Sequence, residues 1–266
     1  MDIANNRLAN FIKRSPYWHE MVSKFIAWSL GNKWVWMRSI LGSRAYNAWQ
    51  KAAPIQPISY SVVIPTIWKS AVLTELVEVL NSSDWVKEII LIDNAGEEGR
   101  HLHTYSKVKV QNQPTNLYVN PAWNLGVSLA QSPYVILCND DILFNPSILK
   151  DVSKMVVRED IGLIGIYENC FFKSPTRPQN FHWRFLPKMC WGFGTLLIFH
   201  KQNYLSIPKE LKVWYGDSFL FTQMTKTHLG ISGISIQTQM SSSSDSPVFN
   251  SIKEADLQWY DIHYAP

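Results

Sequence analysis

The stretch from Asn116 to Pro146, NLYVNPAWNLGVSLAQSPYVILCNDDILFNP, constrains the fold most, because one short length of chain must supply a helix, a buried strand and an abrupt acidic stop. Pro121 stands where a first helical turn tolerates proline, since the N–H it lacks would have no intrahelical partner there. Ala122, Leu125, Val127, Leu129 and Ala130 give small and apolar positions for a short helix lying close on a sheet, and Ser132 and Pro133 end it. Tyr134 to Cys138 is a continuous apolar run of strand length, the pattern of a strand covered on both faces. It stops at Asn139, Asp140 and Asp141.

Adjacent carboxylates at the carboxyl end of a buried strand repel each other unless a cation or a set of donors faces them. Ligands gather at the carboxyl ends of strands in open α/β sheets, and hard oxygen donors there suit Mg²⁺ or Mn²⁺ carrying a diphosphate. The competing reading is a structural turn leading into a helix with the stripe Ile148, Leu149, Val152, Met155 and Val156. Asn145 followed by Pro146 is the better cap for that helix. Spacing alone leaves the two readings level.

The flanking chain repeats the alternation. Ser59 to Thr66 reads as a strand, Val72 to Leu80 as a helix and Glu88 to Asp93 as a second buried strand, which together make a βαβ unit and predict a parallel sheet. Lys107 to Val110 is a short third strand, Ile161 to Tyr167 another buried one, and Trp191 to His200 a strand opened by glycines. Residues 168–190 are polar and aromatic, the composition of a functional loop or a β-hairpin arm. A helix is expected from Asp217 through His228, then a strand from Ile231 to Gln239, and Ser251 to Glu254 has capping-box spacing for a last helix. No GxGxxG or GxxxxGK[ST] run occurs, which argues against a dinucleotide enzyme or a P-loop NTPase.

Charge divides the chain. Residues 1–57 hold eight Lys and Arg against Asp2 and Glu20, a net +6, whereas the whole chain is +4. Trp18, Trp28, Trp34, Trp36 and Trp49 are interleaved with that charge. Such amphipathic helices either pack on a neighbouring domain or make peripheral contact with an anionic membrane surface. No nucleic-acid-binding motif accompanies the charge, so nucleic acid is not the expected partner. Three cysteines without CxxC spacing, and no apolar run of the ~18 to 20 residues a span requires, predict a reducing cytoplasmic location, at most at the inner face of the membrane. The expected organisation is a basic, aromatic-rich helical extension (1–57), an α/β domain (58–245) and a C-terminal helix packed on it (246–266).

The order Asn116, Asn120, Asn124-Leu125-Gly126, six residues to Pro133-Tyr134, an apolar strand and Asn139-Asp140-Asp141 resembles family 2 glycosyltransferases of the GT-A fold, with a weaker likeness over about residues 58 to 240. The resemblance implies a GT-A-like, mostly parallel sheet flanked by helices, and a nucleotide-sugar donor held by its first half. It assigns Pro65, Thr66, Asp93, Asn94, Asn124, Asn139 and Asp140 to the nucleotide, and Asp141 to a Mn²⁺ or Mg²⁺ ion. Trp191, Gly192 and Phe193 would meet the sugar or acceptor. Gly216-Asp217 is similar to the family's catalytic-base motif, with Asp217 the base of a single displacement that inverts the anomeric carbon. The implied acceptor is a glycan or lipid-linked sugar, in surface polysaccharide synthesis.

One departure stands out. Many family members place a metal-binding His after the late strand, where this chain has Met240-Ser-Ser-Ser-Ser-Asp245, so Asp245 or water would substitute. The same gap keeps open a catalytically degenerate binding or scaffold protein. A sugar-nucleotide pyrophosphorylase is disfavoured, because no Gly-rich, Arg-containing signature follows the first strand between Pro65 and Ala71.

Overall fold

The computed structural model describes residues 33–96, 100–172, 180–238 and 247–264. In chain order the elements are α1 (Lys33–Ala52), β1 (Tyr60–Thr66), α2 (Leu73–Asn81), β2 (Val86–Asp93), β3 (Val108–Asn112), α3 (Val119–Leu129), β4 (Tyr134–Cys138), β5 (Ile142–Leu143), α4 (Ile148–Val156), β6 (Ile161–Ile166), β7 (Phe171–Phe172), β8 (His182–Leu186), β9 (Leu196–His200), α5 (Gly216–Gln223), β10 (Thr227–Ser232), β11 (Ile236–Thr238) and α6 (Pro247–Tyr264).

The apolar runs become an eight-stranded sheet of order β3-β2-β1-β4-β9-β6-β10-β8. β3, β2, β1 and β4 run parallel to their neighbours, as do β6 and β10, while β9 between the two groups and β8 at the edge run antiparallel. A small second sheet joins β5, β11 and β7. Because strand side chains alternate between faces, Val62, Ile64, Ile89 and Leu91 pack under α2 and α4, whereas Val63, Ile90 and Ile92 pack under α3 and α5. The sheet is thus covered on both sides, which explains runs without polar alternation. α3 lies close enough to β1 that a Cβ on Gly126 would sit 2.1 Å from Val63 Cγ1.

The edge strand β8 has its free side covered by α1. Asn47, one turn beyond Ser43, donates through Nδ2 to Trp183 O (3.1 Å) and accepts through Oδ1 from Trp183 N (2.7 Å). Ser43 Oγ accepts from Phe185 N at 2.8 Å. Two side chains on one helix face therefore satisfy an edge that would otherwise remain open to pairing with another strand.

Two expectations are corrected. His228 lies in β10, not in a helix, because α5 ends at Gln223. The strand expected from Ile231 to Gln239 is divided by a turn at Gly233 (φ 76°) into β10 and β11. Residues 1–32 of the basic extension and residues 239–246, which include Met240 and Asp245, lie outside the described residues. No described helix is long and apolar enough to cross a membrane.

Candidate functional site

Parallel register brings the carboxyl ends of β1, β2 and β4 to one edge, with Thr66 paired to Asp93. Asp93 is fully buried, and its Oδ1 accepts from Trp68 Nε1 (2.8 Å), Ala95 N (2.9 Å) and Gly96 N (3.1 Å). Its Oδ2 has no hydrogen-bond partner. A buried carboxylate oxygen without a donor is costly, and it marks a place where a ligand hydroxyl or N–H would be well received. Trp68, which sequence reasoning did not single out, reaches Asp93 from a left-handed backbone (φ 60°).

Asp140 is tied to the same loop. Thr66 Oγ1 donates to Asp140 Oδ2 at 2.7 Å and accepts from Trp68 N at 2.9 Å, while Ser70 Oγ donates to Asp140 O at 2.7 Å. Burial pushes the Asp140 carboxyl up to about 6, with the Asp141 charge adding to the rise and the Thr66 hydrogen bond opposing it. Burial also raises Asp141 above the ordinary range. Among the described residues neither forms an ion pair, and no cluster of three or more His, Cys, Asp or Glu side chains is poised for a metal. The pair thus offers two hard-oxygen groups that no cation among the described residues pairs with.

Beside this pair, Pro65, Thr66, Asn94, Tyr118, Asp140 and Phe249 line a cleft of about 100 Å³. Asn94 bridges β2 to the head of α3 by donating to Tyr118 O (3.3 Å) and accepting from Leu117 N (3.1 Å). Phe249 of α6 stands edge-on to Tyr118 (6.4 Å between centroids) and Trp214 (6.2 Å). Ligand pockets typically enclose ~300 to 1,000 Å³, so the aromatic wall contributed by α6 leaves this cleft narrow for a nucleoside.

Asp217 arrives from the other side. It occupies the first turn of α5, after Tyr215 in a left-handed conformation (φ 62°), and its Oδ1 accepts from Ser218 N at 2.8 Å. Only a glycine fits opposite, since a Cβ on Gly194 would lie 2.3 Å from Asp217 Oδ2. Burial raises the Asp217 carboxyl, against the opposing pull of the Ser218 N–H. Gly194 precedes β9, and Asn139 N donates to Thr195 O at 3.0 Å, so the backbone on which Asp217 rests is hydrogen-bonded to the end of β4. Asp93 and Asp140 thus meet at the ends of β2 and β4, and Asp217 is linked to the end of β4 through Gly194 and the Asn139 to Thr195 hydrogen bond.

Other expected residues fall elsewhere. Phe193 is a core residue, 1% exposed and edge-on to Phe221 at 5.4 Å, in space left by the missing side chain of Gly165. It is not available to a substrate. Asn124 is consumed structurally: it donates to Ile207 O (2.8 Å) and accepts from Tyr204 Oη (2.7 Å) and Ile207 N (2.9 Å), and it does not line the cleft. Trp191 is 61% exposed, supported edge-on by Phe171 at 5.3 Å, and Gly192 beside it is left-handed (φ 74°). His228 is buried and structural, its Nδ1 accepting from Leu163 N (3.1 Å) while Nε2 faces Phe221 O (3.0 Å) and Met224 O (3.1 Å).

Comparison with known proteins bears on the family and the fold. The model of glycosyl transferase family 2 matches residues 61–222. Among solved structures, residues 1–349 of S. aureus TarS superpose with a TM-score of 0.53 at 16% identity, over 78% of this chain and 73% of that one. A mannosyltransferase from Pyrobaculum calidifontis, in complex with GDP-Man and Mn²⁺, gives 0.51 at 11% identity over 78% and 66%. GalNAc-T7 with UDP, GalNAc and Mn²⁺ gives 0.51 at 15% identity over 77% and 49%, so this chain spans about half of that one. Identities this low speak for the fold alone, and the expected GT-A-like architecture holds. No curated protein sequence matches the chain significantly.

Proposed function

The chain belongs to glycosyl transferase family 2, and from that premise we propose that it transfers a sugar from a nucleotide-diphosphate donor to a hydroxyl of a glycan or lipid-linked acceptor, with inversion at the anomeric carbon. The observation that carries this reading is the half-buried Asp140 and Asp141 pair at the end of β4, in an ion pair with no cation among the described residues and adjoining the cleft between Thr66 and Tyr118. Structural relatives crystallised with UDP or GDP-Man support a nucleotide donor.

The donor set fits a divalent cation, because two desolvated carboxylates are relieved by a positive charge and supply the oxygen ligands that Mn²⁺ or Mg²⁺ prefers. Asp141 would hold it with Asp140 beside it, and once bound it would neutralise charge on the departing diphosphate. Asp93 takes a ribose hydroxyl or a base N–H on its unpartnered Oδ2. Pro65, Thr66, Asn94 and Tyr118 wall the nucleoside.

A sugar hydroxyl is a weak nucleophile, and removing its proton during attack typically contributes 10² to 10⁴-fold. Asp217, made more basic by its burial, takes that proton while the acceptor oxygen bonds to the anomeric carbon and the bond to the diphosphate breaks on the opposite face. Exposed Trp191, on the segment that leads to Gly194, offers an apolar platform for a sugar ring.

The test is a thermal-shift screen of UDP-, GDP- and dTDP-sugars with and without Mn²⁺, followed by turnover of Asp217→Asn with the donor that binds. The enzyme reading expects binding to persist while turnover falls at least about 100-fold. Unchanged function in Asp217→Asn would instead identify a member that binds without transferring.

A further inference from the structure

A second depression, larger than the nucleoside cleft, runs between α1, β8 and residues 187–191, with a volume of about 740 Å³. Its wall carries Arg44 from α1, Arg184 from β8 and Lys188, with Glu168 the one acid on it and Trp191 at one end. Among the described residues none of the three cations forms an ion pair. Arg44 belongs to the basic segment 1–57, whereas Arg184 and Lys188 stand out from residues 58–266, which are net acidic.

The fold fixes these charges in place. Strand alternation buries Trp183 and turns Arg184 outward, where its guanidinium lies over the Tyr167 ring, 5.6 Å from the centroid. The hydrogen bonds from Ser43 and Asn47 to the β8 backbone hold the α1 turn that carries Arg44. Two guanidinium forks and an ammonium on one concave wall match phosphate oxygens, which accept parallel N–H bonds from arginine. The Trp191 end is three residues from Gly194, on which the Asp217 carboxylate rests.

We infer that this groove binds the anionic part of the acceptor, a phosphate-bearing chain whose sugar end reaches Trp191 and Asp217. The identification of the ligand as an acceptor rests on the sugar-transfer reading above. Binding of phosphate in the groove does not. The phosphate could belong to a diphosphate-linked lipid or to a phosphodiester-linked polymer, and the same chemistry serves both.

The experiment compares wild type with the combined variant Arg44→Ser, Arg184→Ser, Lys188→Ser, and with a charge-matched control, Lys51→Ser, Lys150→Ser, Lys209→Ser, whose residues lie outside the groove. Inorganic tripolyphosphate is titrated calorimetrically in metal-free buffer, where the Asp140 and Asp141 pair repels a polyanion. The groove variant should bind about 10- to 100-fold more weakly, as expected for losing charge-assisted hydrogen bonds, while the control matches wild type. Equal affinity in wild type and groove variant overturns the inference. In transfer assays, a polyprenyl-diphosphate sugar in detergent, a soluble phosphodiester-linked polyol oligomer and an uncharged oligosaccharide serve as acceptors. KM for one of the charged acceptors should rise in the groove variant with kcat retained, and the arm that responds identifies the source. Preference for the uncharged glycan overturns the acceptor assignment. Absence of nucleotide-sugar binding by wild type would sink the transferase reading and leave the tripolyphosphate result standing.

Discussion

The indole N–H of Trp68 donates to Asp93 Oδ1 at 2.8 Å from a backbone held at φ 60°, so the loop after β1 is fastened to the last residue of β2. Trp68→Phe keeps the ring and removes the donor. A hydrogen bond to a charged group contributes about 1.5 to 3 kcal/mol, and the variant should lose stability of that order in urea unfolding. Nucleotide affinity should fall with it if Asp93 is the nucleoside-binding carboxylate.

Phe249 narrows the cleft from the side of α6. Phe249→Ala removes the ring that meets Tyr118 and Trp214, and should tighten nucleotide binding roughly 3- to 10-fold by opening the cleft toward the ~300 Å³ at which ligand pockets begin. Calorimetric titration decides the matter. Weaker binding would mean that the ring contacts the base rather than excluding it.

Stability in acid should depend on Glu88, at the opposite end of the sheet. Its Oε1 accepts from Ser61 Oγ (2.6 Å) and Gln131 N (2.7 Å), and its Oε2 pairs with Lys109 Nζ (2.6 Å). Burial pushes this carboxyl up, but the bonds from Lys109, Ser61 and Gln131 outweigh it and hold the group below its ordinary range. A depressed carboxylate stabilises the fold above its unfolded value of about 4.3, and the contribution disappears as pH falls through the lower folded value. Glu88→Gln should therefore cost about 2 to 4 kcal/mol at neutral pH and far less in strong acid. Equal destabilisation across the range in denaturant titrations would refute the linkage.

Asn47 satisfies both backbone groups of Trp183, and Asn47→Ala should cost about 1 to 3 kcal/mol by leaving them without a partner at a sheet edge. The loss would appear as a lower urea midpoint. A midpoint equal to wild type would mean that water replaces the helix along β8 without penalty.

What could be read from the sequence was what lies close together in it. The apolar runs that became β1, β2, β4 and β6 are short and continuous, and Asn139 to Asp141 follows its strand directly, so periodicity exposed both the layers and the acidic edge. Trp68, Tyr118 and Phe249 belong to the same edge but come from three distant stretches, with no local pattern to mark them. Resemblance assigned Phe193 to the sugar or acceptor, yet its ring occupies the hollow above Gly165, a long-range fit that spacing does not encode. Asn124 sits in the motif where a nucleotide contact was expected, and its amide is used up by a loop 80 to 83 residues away. The strand assignment of His228 depended on where α5 stops, which tertiary packing decides.

The reversal of β9 has an evolutionary consequence. Since that strand begins where β4 ends, the wall carrying Trp191 enters the edge on a stretch of chain separate from the strand termini that bear Thr66, Asp93 and Asp140, and the Asn139 to Thr195 hydrogen bond joins the two. On the proposed function, a lineage can lengthen, shorten or recharge residues 168–191 to suit a new recipient molecule while inheriting the strand termini unchanged.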